Sequence, residues 1–240
     1  MHDTRARHAR DHSLLTPDTF VRAPLPGMRN AVAIVHAAPA HGAGFAAYTV
    51  EFDRAGSFAS GASQLFIYVL SGEVSAGAHN LSEGHYAYVP PEAHLWIAAA
   101  QPACAMVIEK PYLALDYPAP ALFAGSERKL DPVPMMGDDS VSIRTLLPAD
   151  FAFDFAVNTM TFQPGATLPM VEAHVMEHGL LMLEGGGIYR LGENWYPVQA
   201  GDFIWMAPYC PQWFGALGKT PAKYLIYKDW NRHPLHTNEH

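Results

Sequence analysis

Apolar residues in this chain occur in short runs that are separated by glycines and prolines, and the sequence contains 20 prolines and 19 glycines. The runs are rich in aromatic and β-branched side chains, which favour strands. No stretch longer than about ten residues keeps the 3.6-residue period of an amphipathic helix. The pattern therefore predicts an all-β sandwich or barrel, with one short helical turn near residues 147–153. The clearest runs lie at residues 65–70, 86–90, 104–109, 203–208 and 224–227.

This pattern of runs occurs twice. Residues 66–91 and 180–208 both contain an apolar strand, a glycine turn, a second strand, a short insert, a glycine, an aromatic strand and a proline. The corresponding glycines are Gly72 with Gly185, and Gly84 with Gly201. A two-copy repeat predicts duplicated domains. We place an N-terminal barrel, including an N-terminal arm, at residues 1–125 and a C-terminal barrel at residues 126–240.

Composition and charge exclude several classes of partner. The 240-residue chain is 50% hydrophobic and 16% charged, which is typical of a globular protein. Its formal net charge is −8 and it lacks a basic cluster, which argues against nucleic acid. No apolar stretch approaches the roughly 18 residues of a membrane span, and the N-terminus does not resemble a signal peptide. The two distant cysteines, Cys104 and Cys210, fit a reducing cytoplasm and are expected to be buried apolar residues.

The candidate chemistry lies in the second copy. Glu172, His174 and His178 differ by even steps, so on one extended strand they would project from the same face. Gln212 is a possible fourth partner from a later strand. One carboxylate, two imidazoles and an amide oxygen form a ligand set for a divalent transition metal, whereas the alternative is a solvated polar stripe. The set contains no thiolate, so it suits Mn²⁺, with Fe²⁺, Co²⁺, Ni²⁺ and Zn²⁺ as competitors.

These residues resemble the motifs of the cupin fold. The first block runs from Gly165 to Gly185 with cupin-like spacing, but glutamate and histidine are exchanged at its outer ligand positions. The second block begins at Gly201 and has Gln212 where a typical cupin has histidine. A Glu/His/His/Gln set is similar to that of the (S)-ureidoglycine aminohydrolases, which are manganese bicupins of allantoin degradation. The resemblance covers nearly the whole chain and implies two jelly-roll-like barrels in a homo-oligomer.

The resemblance also implies a role for each matching residue. Glu172, His174, His178 and Gln212 would hold one Mn²⁺ per chain. Tyr189, Tyr224 and Lys228 would bind a small-molecule substrate, and Tyr224 and Lys228 would also be catalytic. From the residues alone, Tyr224 and Lys228 share one strand face, and a lysine inside a barrel requires an anion such as a substrate carboxylate. The alternatives are a solvent-reaching lysine at a strand end and two tyrosines that only pack in the core.

The first copy lacks these ligands. The residues that the repeat places opposite the four ligands cannot hold a metal, so we expect one ion per chain, in the second barrel. Several histidines lie in polar terminal segments, and we expect their side chains to be solvated. The residues that replace the ligands are Ala59, Gly61, Leu65 and Leu95. The terminal histidines are His2, His8, His12, His233, His236 and His240.

The reaction implied by the resemblance is hydrolytic deamination of (S)-ureidoglycine to (S)-ureidoglycolate and ammonia. The sequence leaves open whether water attacks directly or ammonia leaves first and an imine is then hydrated. Two other classes of function also stay open. One is another metal-dependent cupin enzyme, a dioxygenase or an isomerase of a small acid. The other is a bicupin that binds a ligand without catalysis.

Overall fold

The computed structural model describes residues 4–229 and residue 232, and within these it consists of strands and three short 3₁₀ helices. The 3₁₀ helices are Pro17–Thr19, Pro39–His41 and Glu127–Lys129. The first eleven strands are β1 Arg7–His8, β2 His12–Leu15, β3 Arg22–Ala23, β4 Arg29–Ala37, β5 Ala46–Ala59, β6 Gln64–Ser71, β7 Glu73–Ala76, β8 His79–Ser82, β9 His85–Val89, β10 Trp96–Ala99 and β11 Ala103–Lys110. The others are β12 Phe123–Ser126, β13 Val133–Met135, β14 Asp138–Thr145, β15 Ala156–Phe162, β16 His178–Glu184, β17 Gly186–Leu191, β18 Asn194–Gln199, β19 Phe203–Met206, β20 Gln212–Ala216 and β21 Ala222–Lys228.

The all-β prediction is confirmed, whereas the predicted helical turn is wrong. Residues 147–153 form bends and turns, because Pro148 lacks an amide donor and the side chain of Asp150 accepts from the amide N of Ala152. None of the helices in the described ranges has the length and apolar character needed to cross a membrane.

The chain divides into two compact units. One is Val21–Leu130, and the other combines the described part of the first twenty residues with the described part of Asp131–His240. The predicted division at residue 125 therefore differs from the structure, chiefly in the N-terminal arm. The arm belongs to the second unit because β2 pairs with β19, with His12 opposite Met206.

The Val21–Leu130 unit contains one large sheet with the order β12-β9-β6-β11-β5-β10-β7-β8, in which β4 joins β5 and β3 joins β4. The long strand β5 pairs with β11 through its first part and with β10 through its last part, which brings the sheet around on itself. Its interior is filled almost entirely by aliphatic side chains and phenylalanines, such as Val50, Leu65 and Ile67. Burial of these apolar groups is the main stabilising contribution to this unit.

The second unit contains an eight-stranded sheet with the order β1-β2-β19-β16-β21-β15-β14-β13 and a three-stranded sheet with the order β18-β17-β20. Its buried cluster is more aromatic and includes Phe162, Tyr189, Phe214 and Tyr224. Phe214 lies 4.9 Å from Phe162 and 5.8 Å from Tyr224 between ring centroids, in edge-to-face arrangements that favour aromatic pairs.

The glycines of the sequence repeat occupy equivalent turns in the two units. Gly72 and Gly185 have φ angles of +76° and +64°, a region that side chains other than glycine rarely adopt. A Cβ at Gly72 would lie 2.9 Å from Cα of Ala103, and a Cβ at Gly185 would lie 2.9 Å from Cα of Ala222. Each alanine follows a proline and begins a strand, β11 in the first unit and β21 in the second. Both copies therefore need glycine for the same close approach.

Candidate metal centre

The predicted site residues come from four parts of the second unit. His178 is the first residue of β16, Gln212 is the first residue of β20 and Lys228 is the last residue of β21. Glu172 and His174 lie in the connection between β15 and β16, outside any named strand. The prediction that one continuous strand carries Glu172, His174 and His178 is therefore wrong. The segment before His178 is not one extended strand, since it contains turns and bends, with Gly165 at a φ angle of +83° and a proline at position 169.

A reciprocal backbone pair fixes Glu172 against Gln212. The amide N of Glu172 donates to the carbonyl O of Gln212 at 2.8 Å, and the amide N of Gln212 donates back to the carbonyl O of Glu172 at 2.8 Å. This isolated antiparallel bridge holds the irregular connection at the start of β20. A second bond runs from the amide N of Tyr209 to the carbonyl O of His174 at 2.6 Å. Backbone contacts rather than a strand period therefore bring Glu172, His174 and Gln212 together.

The two histidines face each other at this point. Their ring centroids are 4.9 Å apart and the rings are inclined by 29°. Nε2 of His174 lies 3.2 Å from Oε2 of Glu172, and both side chains are partly exposed. The carboxylate and the imidazoles therefore lie close together, as the binding of one metal ion would require.

The environment of His178 keeps its ring neutral. Burial, together with the charges of His174 and Lys228, lowers the pKa of His178 to about 3. Nδ1 of His178 lies 3.3 Å from the carbonyl O of Met176, which can only accept a hydrogen bond. Nδ1 therefore carries the proton in this contact, and the lone pair on Nε2 stays available to a metal.

Gln212 is buried and held by a tyrosine. The hydroxyl of Tyr189 donates to Oε1 of Gln212 at 2.9 Å, and both side chains are buried. Burial raises the pKa of Tyr189 well above its usual value, with smaller contributions from the charges of Tyr224, Glu172 and Cys210, so the hydroxyl keeps its proton. An amide oxygen has two lone pairs, so Oε1 can accept from Tyr189 and still face a cation.

Tyr224 and Lys228 project from β21 on the side of the cavity. Tyr224 is buried and donates to the sulfur of Met160 at 3.3 Å. Burial lowers the pKa of Lys228, and the charge of Glu172 raises it. The side-chain amide of Asn158 satisfies its hydrogen bonds when its oxygen faces Lys228. That oxygen then accepts from Nζ of Lys228 at 3.2 Å, and the amide nitrogen donates to the carbonyl O of Val157. Lys228 also lines this cavity.

All seven predicted side chains line one cavity of about 140 Å³. The remaining wall is apolar and comes from β13, β14, β15, β21 and the connection that precedes Glu172. A cavity of this size admits an ion together with a substrate of a few heavy atoms, and its apolar wall limits the water that can enter. The apolar lining residues are Met135, Ile143, Met160, Leu168 and Ile226.

The donor set fits a hard or borderline divalent ion. It supplies carboxylate, imidazole and amide groups without a sulfur ligand, and His178 already presents an unprotonated nitrogen. A tighter group of donors lies outside this cavity. Among the described residues, the donor atoms of Asp11, His12 and Cys210 all lie within 4.8 Å of one another. The donors around the cavity are more widely spaced and leave room for both an ion and a ligand.

Sequence reasoning missed two features of this unit. Asn158 was overlooked because a single polar residue on an apolar strand has no local signature, although its position opposite Ile226 places it beside Lys228. His12 was expected to be solvated, yet it is only 1% exposed, since β2 adds to the sheet beside β19. His2, His233, His236 and His240 lie outside the described residues.

The fold and the donor set together define a cupin. The cupin domain profile matches residues 158–227, which include His174, His178 and Gln212. Cupin domains are typically metal-binding, and the position of the donors inside the second unit agrees with that property.

Similarity to known proteins shows which family of cupins the chain belongs to. The chain is 42% identical to the (S)-ureidoglycine aminohydrolase of Arabidopsis thaliana, over 97% of this chain and 80% of the relative. It is 35% identical to the (S)-ureidoglycine aminohydrolase of Escherichia coli (strain K12), over 92% of this chain and 88% of the relative. The crystal structure of the protein Ylba from E. coli superposes with a TM-score of 0.84 at 32% identity and covers 95% of both chains. The chain belongs to the (S)-ureidoglycine aminohydrolase family, which confirms the resemblance found in the sequence.

Proposed function

We propose that the chain hydrolytically deaminates (S)-ureidoglycine to (S)-ureidoglycolate and ammonia, with one Mn²⁺ held by Glu172, His174, His178 and Gln212. The observation that carries the proposal is the convergence of these four side chains and Lys228 on one cavity, in a member of this family. The enzyme would act on a C–N bond as a hydrolase of allantoin and purine catabolism.

The protein groups prepare the site for a cation before it binds. His178 is neutral and directs Nε2 away from its bond to Met176, while Glu172 supplies the one negative charge. Tyr189 keeps the amide of Gln212 in a fixed orientation through the 2.9 Å hydrogen bond. When bound, Mn²⁺ would supply Lewis-acid activation and two further positions for small ligands.

The substrate carries a carboxylate, an amine and a ureido group on one carbon. Lys228 lines the cavity and lies opposite His178 across the β16–β21 ladder. Its ammonium group would bind the substrate carboxylate, and the loss of water from both charged groups makes that pairing stronger than in bulk solvent. The hydroxyl groups of Tyr189 and Tyr224 keep their protons because burial raises both pKa values. Tyr224 would donate to the substrate, whereas Tyr189 donates to Gln212 and would accept from a substrate donor.

The arrangement also explains how one face of the carbon could be selected. Lys228 and Glu172 lie on different walls, β21 and the connection before β16, so a substrate held at its carboxylate has a fixed orientation between them. Apolar side chains such as Met160 and Ile226 close the rest of the cavity. Fixed orientation of substrate and attacking group is a large source of rate acceleration.

We also propose a cytoplasmic location and a homo-oligomeric state, without nucleic acid or membrane partners. Free thiols at Cys104 and Cys210 support a reducing compartment. The formal charge of −8 supports the absence of nucleic acid. Sedimentation at several protein concentrations would test the oligomer.

The test is ammonia release from freshly generated (S)-ureidoglycine, measured with metal-free protein and with Mn²⁺-loaded protein. We expect release only with the loaded protein, with (S)-ureidoglycolate as the product and no free urea. Loaded protein that releases no ammonia above the uncatalysed rate would refute the proposal. Oxygen uptake with Fe²⁺ would point to a dioxygenase, and absence of any tightly bound transition metal would point to a binding protein.

A further inference from the structure

A second group of metal-ligand side chains lies in the same unit, built from residues that are distinct from the candidate centre. The donor atoms of Asp11, His12 and Cys210 all lie within 4.8 Å of one another. His12 and Cys210 are 1% and 4% exposed, so two of the three donors are buried. A spacing of this size is compatible with three ligands around one ion, whose bonds are roughly 2.0–2.3 Å long.

Backbone contacts hold the three residues in place. His12 begins β2 and pairs with Met206 at the end of β19. The amide N of Ala207 donates to the carbonyl O of Asp11 at 2.9 Å, and the amide N of Cys210 donates to the carbonyl O of Ala207 at 3.1 Å. The N-terminal arm and the turn before β20 are therefore joined through Ala207, and the group is a product of the fold rather than of neighbouring positions in sequence.

The two nitrogens of His12 have different partners. Nδ1 lies 2.8 Å from Oδ1 of Asp11, and Nε2 lies 2.9 Å from the hydroxyl of Tyr196. A metal-binding histidine typically directs its second nitrogen to a partner that fixes the ring and its tautomer. Tyr196 is such a partner for Nε2, which leaves Nδ1 on the side of the carboxylate. The thiol of Cys210 lies 3.7 Å from the carbonyl O of Pro211 and also interacts with the side chain of Asp11.

We propose that Asp11, His12 and Cys210 form a second metal site, for Zn²⁺ or a divalent ion of similar softness. Sulfur, imidazole and carboxylate together are ligands that Zn²⁺ prefers, whereas Mn²⁺ prefers oxygen and nitrogen. On binding, the proton of His12 moves from Nδ1 to Nε2, where the hydroxyl oxygen of Tyr196 accepts it, so that Nδ1 and the carboxylate of Asp11 can hold the ion, and the thiol of Cys210 releases its proton to solvent. The side chain of Asp11 is 45% exposed, which gives the ion access and leaves a position for water.

The site would join the N-terminal arm to the segment before β20. Asp11 and His12 belong to the arm, while Cys210 precedes Gln212 by two residues. An ion bound to all three would stabilise the folded unit in proportion to its preferential binding. The proposal does not depend on the proposed function, because neither its ligands nor its readout involve the substrate cavity.

The experiment is a Co²⁺ titration of the full chain, which is first freed of metal and then loaded with Mn²⁺. Co²⁺ bound to a thiolate gives a near-ultraviolet charge-transfer band, and the candidate centre has no thiolate, so Co²⁺ that displaces Mn²⁺ there adds nothing to this band. We expect the band to reach its maximum at one equivalent per chain and to disappear when Zn²⁺ is added in excess, since Zn²⁺ favours sites with sulfur and nitrogen ligands.

Variants assign the band to its ligands. Cys210→Ser should abolish the band, whereas the matched control Cys104→Ser should leave it intact. His12→Ala should lower the Co²⁺ affinity of the site at least tenfold. His174→Ala should also keep the band, which separates this proposal from the proposed function. Circular dichroism identifies any variant that fails to fold, and in that case the wild-type and Cys104→Ser titrations decide.

Two outcomes would overturn the proposal. One is a wild-type chain that shows no charge-transfer band at saturating Co²⁺. The other is a band that persists in folded Cys210→Ser protein. A second measurement uses thermal unfolding, in which Zn²⁺ should raise the midpoint of the wild type and of Cys104→Ser but not that of Cys210→Ser. Equal shifts in all three would likewise contradict the site.

Discussion

Strands β6 and β16 have equivalent neighbours in the two units, yet their first inward residues differ in chemistry. Strand β6 lies between β9 and β11, and β16 lies between β19 and β21. Leu65 lies opposite Glu109 in the first unit, whereas His178 lies opposite Lys228 in the second. Leu65 belongs to an aliphatic core, while His178 lines a cavity with other polar side chains. The same framework therefore supports a packed interior in one copy and a candidate metal centre in the other.

The backbone differs at the same place. In the first unit β5 continues without interruption to Ala59, which pairs with Trp96 in a regular ladder. In the second unit β15 ends at Phe162, and only isolated bridges connect the following segment with β20. A regular ladder alternates its side chains between two faces. The irregular segment frees Glu172 and His174 from that alternation, so both can turn toward the cavity.

The largest expected effect comes from removing a ligand. His174→Ala should abolish stoichiometric Mn²⁺ binding and lower kcat/KM by on the order of 10³, because metal-ion catalysis is worth several kcal/mol and each 1.4 kcal/mol is tenfold. Metal analysis and ammonia release would measure both quantities. The control His41→Ala removes an exposed histidine from the other unit and should change neither. Near-normal turnover of His174→Ala at saturating Mn²⁺ would mean that the ligands are assigned incorrectly.

A substitution in the aliphatic core of the Val21–Leu130 unit tests the role of the first unit. Leu65→Ala should lower the free energy of unfolding by about 3 kcal/mol, since it leaves a cavity in a packed interior, while the Mn²⁺ stoichiometry stays the same. Denaturant unfolding followed by metal analysis would measure both. Leu113→Ala removes an exposed leucine of the same unit and should cost far less. Loss of bound Mn²⁺ from folded Leu65→Ala protein would contradict the separation of roles.

Lys228 is expected to act on substrate binding. Lys228→Met should raise KM by about 10- to 100-fold, because a hydrogen bond to a charged group contributes roughly 1.5–3 kcal/mol. Steady-state kinetics at saturating Mn²⁺ would show the change. Lys110 is the last residue of β11, as Lys228 is of β21, so Lys110→Met is the matched control and should leave KM unchanged. An unaltered KM in Lys228→Met would show that this lysine only reaches solvent at a strand end.

The smallest expected effect concerns the support of Gln212. Tyr189→Phe removes the hydroxyl that donates to Oε1 of Gln212 and should weaken Mn²⁺ affinity by about tenfold, as is common for groups that orient a ligand. The first unit offers a matched pair, since the hydroxyl of Tyr88 donates to Oε1 of Gln64 at 3.0 Å. Mn²⁺ titration of Tyr88→Phe should give the wild-type affinity. If both variants bound Mn²⁺ equally well, the hydroxyl of Tyr189 would have no role in metal binding.

The comparison also shows which features the sequence encodes locally. The repeat and its glycines could be read directly, because Gly72 and Gly185 are required by close backbone contacts at equivalent turns. The roles predicted for Glu172, His174, His178 and Gln212 remain predictions, but their convergence on one cavity agrees with them.

Other features depend on contacts between distant residues. The assignment of the arm depends on pairing between residues nearly two hundred positions apart, such as His12 and Met206. The contact of Asn158 with Lys228 depends on the register between β15 and β21, which hydrophobic alternation alone does not specify. The strand predicted through Glu172 failed for a related reason, because an alternating pattern cannot reveal where a ladder is interrupted.

We propose that the second unit holds one Mn²⁺ through a carboxylate, two imidazoles and an amide. Anomalous X-ray scattering from crystals of Mn²⁺-loaded protein, recorded on both sides of the manganese absorption edge, would test it most directly. We expect one strong peak per chain, bounded by Glu172, His174, His178 and Gln212. A manganese peak at any other position, or none beside these four residues, would contradict it.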